Sequence, residues 1–108
     1  MASGYNVADY VSSTIAGTAG TILALADGGA ITKPASAKSF VGFLETAQIR
    51  ARGDGTAPTS TEGVVTNVGD RMVLSESEIG LMQFIRTGAT SGVIKGHFYT
   101  LEAGGLPL

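Results

Sequence analysis

The chain has no cysteine and no tryptophan, and it contains one histidine among 108 residues. Without cysteine there are no disulfides, no thiolate zinc ligands and no cysteine nucleophiles. A single imidazole cannot form a histidine metal cluster. The lack of tryptophan also disfavours a sugar-binding platform, because such surfaces depend on large aromatic rings with a polar tip. The sequence therefore predicts no metal site and no cofactor.

Positive charge is also scarce, with seven lysines and arginines against nine acids and a net charge of −2. The basic residues are scattered and form no stripe that would follow a phosphate backbone, so no nucleic-acid partner is predicted. The longest apolar run, residues 22–26, is too short to span a membrane. The first basic residue is Lys33, which is not the pattern of a secretory signal. We expect a soluble protein made inside the cell, with no membrane partner.

What the chain does have is glycine (16 residues) and short apolar segments that alternate with polar ones. Its length fits one domain with a single core. Turn residues separate the segments at spacings near those of sandwich proteins. The pattern predicts an all-β, jelly-roll-like β-sandwich of seven to nine short antiparallel strands. At most one helical turn is expected, at residues 75–80, where Ser75 and Glu78 match a capping box.

Three local patterns make this prediction specific. Residues 39–46 are the strongest strand signal, because both faces are apolar at first, as in a central strand between two layers. Residues 21–25 are predicted to be a buried strand. Gly69-Asp70 has the chemistry of a two-residue hairpin turn.

The predicted domain is residues 21–102, followed by a C-terminal tail at 103–108. Residues 1–20 have two interpretations. They are either the first strand of the sandwich or an arm that docks on a neighbouring subunit, because their tyrosines combine contact area with a polar tip.

No group in the chain has the surroundings that catalysis needs, and the chain is predicted not to be an enzyme. Glu76 and Glu78 lie close together, but a calcium loop needs more acids than these two. Arg52-Gly53-Asp54 spells an integrin-binding tripeptide, yet Gly53-Asp54-Gly55 is fully explained as a turn. His97 lies on the polar face of a predicted strand.

Surface contact is the remaining source of function, and we predict three sets of interface residues. The arm contributes apolar and aromatic side chains, the arginines offer guanidinium forks suited to carboxylates of a partner, and the tail contributes leucines. The alternative for the arginines is that they are solvated or pair with Asp54, Glu62 or Asp70. The predicted interface residues are Tyr5, Val7, Tyr10, Val11, Arg50, Arg52, Arg86, Leu106 and Leu108.

A resemblance gives these surfaces a setting. The chain carries Glu45-Thr46-Ala47, Asp54-Gly55-Thr56, Pro58-Thr59, Gly69-Asp70 and the run FIRTGATS at residues 84–91. In these motifs, residues 31–99 resemble small structural proteins encoded by tailed bacteriophages. The resemblance implies a virion β-sandwich, of which capsid decoration (cement) proteins are one class.

The function expected from this resemblance is that of a non-enzymatic phage virion protein that stabilises the head lattice. It would be made in the host cytoplasm and then bind to the capsid surface. Its expected partners are the major capsid protein or other virion proteins, and it is expected to form a homo-oligomer, a dimer or trimer. The alternatives are a collar, tail or fibre-attachment module of the virion, or a carbohydrate- or receptor-binding β-sandwich.

Overall fold

The structure is a computed structural model, and it describes residues 7–100. Within these residues, seven strands form two antiparallel sheets, and there is one helical turn. The predicted all-β sandwich is therefore confirmed in class, in strand count and in its single helical turn. The elements are β1 (Val7–Ile15), β2 (Ser39–Glu45), β3 (Ile49–Arg52), β4 (Val64–Thr66), β5 (Arg71–Ser75), α1 (Glu76–Ile79), β6 (Gln83–Arg86) and β7 (Gly92–Tyr99).

The order of the strands matches that of a jelly roll in which one strand is missing. The larger sheet has the order β1-β7-β2-β5 and the smaller has β4-β3-β6. In an eight-stranded jelly roll, strands 1-8-3-6 form one sheet and 2-7-4-5 the other. The two orders coincide if the second jelly-roll strand is missing beside β6.

A short stretch of chain occupies the place of that second strand. Arg86 N–H donates to the Ala16 carbonyl at 3.1 Å, and Gly20 and Phe84 exchange backbone hydrogen bonds of 3.2 and 2.8 Å. Residues 16–20 therefore cross from the edge of the larger sheet to the edge of the smaller one. They close that side of the sandwich.

The core lies between the sheets and is built by alternation along the strands. In β2, Phe40, Gly42 and Leu44 face inward and are buried, whereas Phe43 faces outward and is 51% exposed. Thus β2 is central within its sheet, as predicted, but it is covered on one face only. The fully buried side chains include Ile15, Ile22, Phe40, Ile49, Ile79, Ile94 and Phe98.

A close approach between β2 and β7 depends on glycine. A Cβ atom at Gly96 would lie 2.2 Å from the Val41 carbonyl oxygen and 2.8 Å from Phe40 Cζ. Such contacts are impossible for a real side chain, so this position accepts only glycine. The ring of Phe40 fills the space and packs edge-on against Phe98 at 5.6 Å.

Two local predictions were wrong. Residues 21–25 form turns rather than a strand, with Leu25 N–H bonded to the Thr21 carbonyl at 2.9 Å. Gly69-Asp70 ends a four-residue turn in which Asp70 N–H bonds the Asn67 carbonyl at 2.9 Å. That turn is not a hairpin, because β4 pairs with β3 while β5 pairs with β2. It carries the chain from one sheet to the other.

The predicted capping box, in contrast, is present at α1. Ser75 N–H donates to Glu78 Oε1 at 2.8 Å, and Glu78 N–H donates to Ser75 Oγ at 3.4 Å. The reciprocal bonds satisfy backbone donors that a helix start leaves open. They fix the direction in which the chain leaves β5.

Candidate functional site

The ion pairs of residues 7–100 join partly exposed side chains. No three His, Asp or Glu side chains of this part of the chain are close enough to hold a metal ion. Within the same residues, no helix has the length and apolar character needed to cross a membrane. His97 lies on the outward side of β7, with its ring 5.3 Å from that of Tyr10 and 6.3 Å from that of Tyr99. The features that remain are surfaces.

The first surface is the free edge of β5, on the side of the sandwich opposite residues 16–20. Leu44 N–H donates to the Asp70 carbonyl at 3.2 Å. Because antiparallel ladder bonds recur every second residue, Met72 and Leu74 direct their backbone groups toward β2. Arg71 and Val73 therefore direct theirs out of the sheet. None of the backbone bonds found outside the ladders in residues 7–100 involves Arg71 or Val73.

Below this edge a groove of about 840 Å³ lies between residues of the two sheets. Its walls come from β5 and from β4, the facing edge of the smaller sheet. The floor is apolar, built from Ala51, Met72, Leu74, Met82 and Phe84. Methionine side chains adapt their shape to different occupants. The groove thus combines an unpaired strand edge with a deformable apolar floor.

The open end of the groove carries an ion pair. Arg52 Nε donates to Asp54 Oδ1 at 2.9 Å, and Arg52 Nη2 donates to Asp54 Oδ2 at 2.9 Å. Hydrogen bonding from this guanidinium, with help from the Thr56 N–H, lowers the pKa of Asp54. The same hydrogen bond and the Asp54 charge raise the pKa of Arg52. Both charged groups of the integrin-like tripeptide are therefore bound to each other.

The second surface is the outward side of the larger sheet, which we call the outer face. The strand register aligns its residues in rows, two across all four strands and one across β1, β7 and β2. Tyr10 is 52% exposed at one end of a row, and Phe43 is 51% exposed near the centre. The rows are Tyr10–His97–Val41–Val73, Ser12–Lys95–Phe43–Arg71 and Thr14–Val93–Glu45.

An acid is fixed beside this face, at the edge of β1. Ser12 Oγ and Thr14 Oγ1 each donate to the Asp27 carboxylate at 2.7 Å. These bonds, first that of Ser12 and then that of Thr14, lower the pKa of Asp27. Asp27 N–H also donates to the Ser12 carbonyl at 2.7 Å, which covers the β1 edge.

The predicted arm residues are divided between surface and core. Of the two interpretations of residues 1–20, the strand holds for residues 7–15, which form β1. Val7 and Tyr10 are exposed, whereas Val11 is 2% exposed and packs in the core, so its side chain is not available to a partner. Tyr5, Leu106 and Leu108 lie outside the described residues.

The three predicted arginines do not form a common surface. Arg50 donates to the carbonyls of Ser60 and Gly63 at 3.1 and 2.8 Å, so it holds the loop before β4. Arg52 is bound to Asp54 as above. Arg86 lies opposite Ile49 in the register, on the other face from Arg50, and donates to Ser91 Oγ at 3.3 Å. Each arginine bonds within its own chain.

Sequence reasoning missed the groove residues Met72 and Met82 and the outer-face residues Phe43 and Arg71. The sequence did mark Phe43 as apolar, on the second face of the 39–46 segment. That face was interpreted as covered by another layer, whereas it is exposed. Met72 and Met82 come together only through the crossing turn at residues 67–70. No local pattern reveals that crossing.

Comparison with known proteins found no matching family model, no matching curated protein and no matching solved structure.

Proposed function

We propose that this chain is a non-enzymatic structural protein of a bacteriophage virion that decorates and cements the capsid. It is made in the host cytoplasm and then binds to the capsid surface, with the major capsid protein as its partner. The observation that carries the proposal is the free β5 edge above the apolar groove. An extended segment of a neighbouring protein would add to β5 through backbone bonds from Arg71 and Val73. Its alternate side chains would enter the groove.

The repeated capsid lattice allows stable binding even where a single contact is weak. Each capsid presents its surface many times, and a protein that bridges neighbouring sites gains avidity without new contacts. The covered side of the sandwich supports this role, because it leaves one side open to a partner rather than two. The resemblance of residues 31–99 to tailed-phage structural proteins supports the virion setting.

The experiment is to count this chain in purified virions of the phage that encodes it, by quantitative mass spectrometry. Decoration predicts on the order of hundreds of copies per particle, matching the multivalent lattice contact. A few copies would contradict decoration and would favour the collar, tail or fibre-attachment alternative.

A matched pair of variants tests whether the groove makes the contact. Met82 lines the groove, whereas its neighbour Leu81 is 45% exposed and does not line it. Met82→Glu places a charge on the apolar floor, and we expect it to abolish binding to particles that lack the chain. Leu81→Glu should bind as the unaltered protein does. Equal binding by both variants, with both folded by circular dichroism, would contradict the groove as the site.

A further inference from the structure

The outer face has no cover in the described part of the chain, and its composition is that of a contact surface. Along β1 and β2 the inward residues are core, whereas Tyr10 and Phe43 are each about half exposed. Val41 and Val73 follow in the same row as Tyr10 and are partly exposed, and His97 and Lys95 of β7 lie between the β1 and β2 residues. The face therefore combines aromatic and aliphatic side chains with Lys95 and His97. Exposed clusters of this kind mark interaction sites in soluble proteins.

Charge is arranged asymmetrically across this face. Asp27 is held over the β1 edge by Ser12 and Thr14. Arg71 lies at the opposite edge, on β5, in the same row as Ser12. The two charges between the edges neutralise each other, since Lys95 Nζ lies 3.4 Å from Glu45 Oε1. No described residue forms an ion pair with Arg71.

We propose that the outer face binds the outer face of a second copy of this chain, in a two-fold symmetric dimer. The two-fold axis would lie between the two outer faces and run parallel to the strands. Rotation about this axis exchanges the β1 and β5 edges and leaves each row at the same position along the strands. The β1 edge of one copy then lies over the β5 edge of the other, which places Asp27 opposite the partner copy's Arg71, twice. A two-fold axis perpendicular to the strands would instead place the β1 edge of one copy over the β1 edge of the other, and would not bring Asp27 opposite Arg71.

This arrangement agrees with known sheet packing. Face-to-face sheets lie about 10 Å apart with their strands nearly aligned, as this axis requires. The same patch serves both subunits, as in any isologous interface. Tyr10, Phe43, Val41 and Val73 would supply its apolar contacts, and the two Asp27–Arg71 pairs its rim.

The area of the outer face determines how tightly the two copies are expected to associate. Four strands spaced ~4.8 Å apart are roughly 19 Å wide, and β2, with seven residues at ~3.4 Å each, is roughly 24 Å long. This is the small end of specific interfaces. We therefore expect a dimer that dissociates on dilution. The inference is distinct from the proposed capsid contact, because the groove lies between the sheets and the dimer uses the outward side of the larger sheet. The two contacts share Arg71 and Val73 of β5, through their backbone groups in the capsid contact and their side chains in the dimer. Phe43 and Asp27 belong to the dimer alone.

Sedimentation velocity between about 1 and about 500 μM tests the dimer, because a weak interface titrates in this range. The unaltered chain should shift from monomer to dimer as its concentration rises. Phe43→Glu should remain monomeric throughout. Val68→Glu is the matched control, since Val68 is 56% exposed in the turn before β5 and lies off the face, and it should dimerise normally.

Charge reversal tests whether Asp27 lies opposite the partner copy's Arg71. Arg71→Asp and Asp27→Arg should each weaken the dimer at least ~10-fold by opposing like charges. The double variant should recover to within roughly 3-fold of the unaltered chain, because the pair is restored in reverse. If Asp27→Arg unfolds, mixing Arg71→Asp protein with Asp27→Lys protein replaces the double variant, and a heterodimer is expected.

Three results would overturn the proposal. The unaltered chain could stay monomeric at every concentration. Phe43→Glu could dimerise as well as the control Val68→Glu does. The double reversal could fail to recover while both single variants weaken the dimer. An unaltered chain that stays monomeric but binds capsids would contradict only this inference. An unaltered chain that dimerises but does not bind capsids would contradict only the proposed function.

Discussion

The two sides of the sandwich differ in how their strand edges are treated. On the β1–β6 side, residues 16–31 bond to both sheets, through Gly20 to Phe84 and through Asp27 to Ser12. On the β4–β5 side, the turn at residues 67–70 joins the sheets, and the groove lies between β4 and β5. Exposed strand edges invite pairing with other chains, and proteins normally cover or shorten them. The difference indicates that one side of the sandwich provides stability and the other provides contact.

The largest expected effect compares apolar truncations on the two sides. Ile22→Ala removes a fully buried side chain on the covered side, and we expect a loss of about 3–4 kcal/mol in the free energy of unfolding. Val64→Ala on β4, where the residue is 72% exposed, should change it by less than about 0.5 kcal/mol. Urea denaturation measures both. Equal losses would contradict the division into a stabilising and a contacting side.

A proline pair tests the direction of the β5 backbone groups. Met72→Pro removes an N–H that bonds to β2, and we expect a loss of about 2 kcal/mol or more. Val73→Pro removes an N–H that points out of the sheet, which edge strands tolerate, and we expect a loss of about 1 kcal/mol or less. Thermal unfolding compares the two. A larger loss for Val73→Pro would mean that its N–H is engaged.

The smallest effect concerns pH and Asp27 on the covered side. The Ser12 and Thr14 hydroxyls lower the pKa of Asp27 in the folded state. Its contribution to stability is therefore present above the unfolded pKa of about 4 and is lost as pH falls through the lower folded value. Asp27→Asn should flatten the pH dependence of the unfolding midpoint below about pH 4, measured at a concentration where the chain is monomeric. An unchanged slope in the variant would contradict this role.

The sequence was sufficient for the fold class because alternation and turn chemistry are local. The alternation of Phe40, Val41 and Gly42 identified a central strand, and Ser75 with Glu78 identified the helical turn. The chemistry of Gly69-Asp70 is the same in a hairpin and in a crossing between sheets, so it did not reveal the crossing. Residues 21–25 show the same limit, because a short apolar run is compatible with a buried turn as well as with a strand.

The candidate site was harder to predict because it depends on which strand edges lie next to each other in the folded chain. Val7, Tyr10 and Val11 were predicted together as interface residues, but Val11 alternates into the core with Ser13. Arg50 carried no sign that it would bond the carbonyls of Ser60 and Gly63, since loop conformation sets that contact. The groove exists only after β4 and β5 have been placed in different sheets.

The most direct test of the account is saturation binding of the chain to purified particles that lack it, with and without Val73→Pro. The substitution removes one outward backbone donor of β5 and leaves the groove floor and the ladder to β2 in place. We predict that the unaltered chain saturates at hundreds of copies per particle, on the order that lattice avidity supports, and that folded Val73→Pro protein fails to bind. Equal saturation by both proteins would contradict the claim that the open edge of β5 makes the capsid contact.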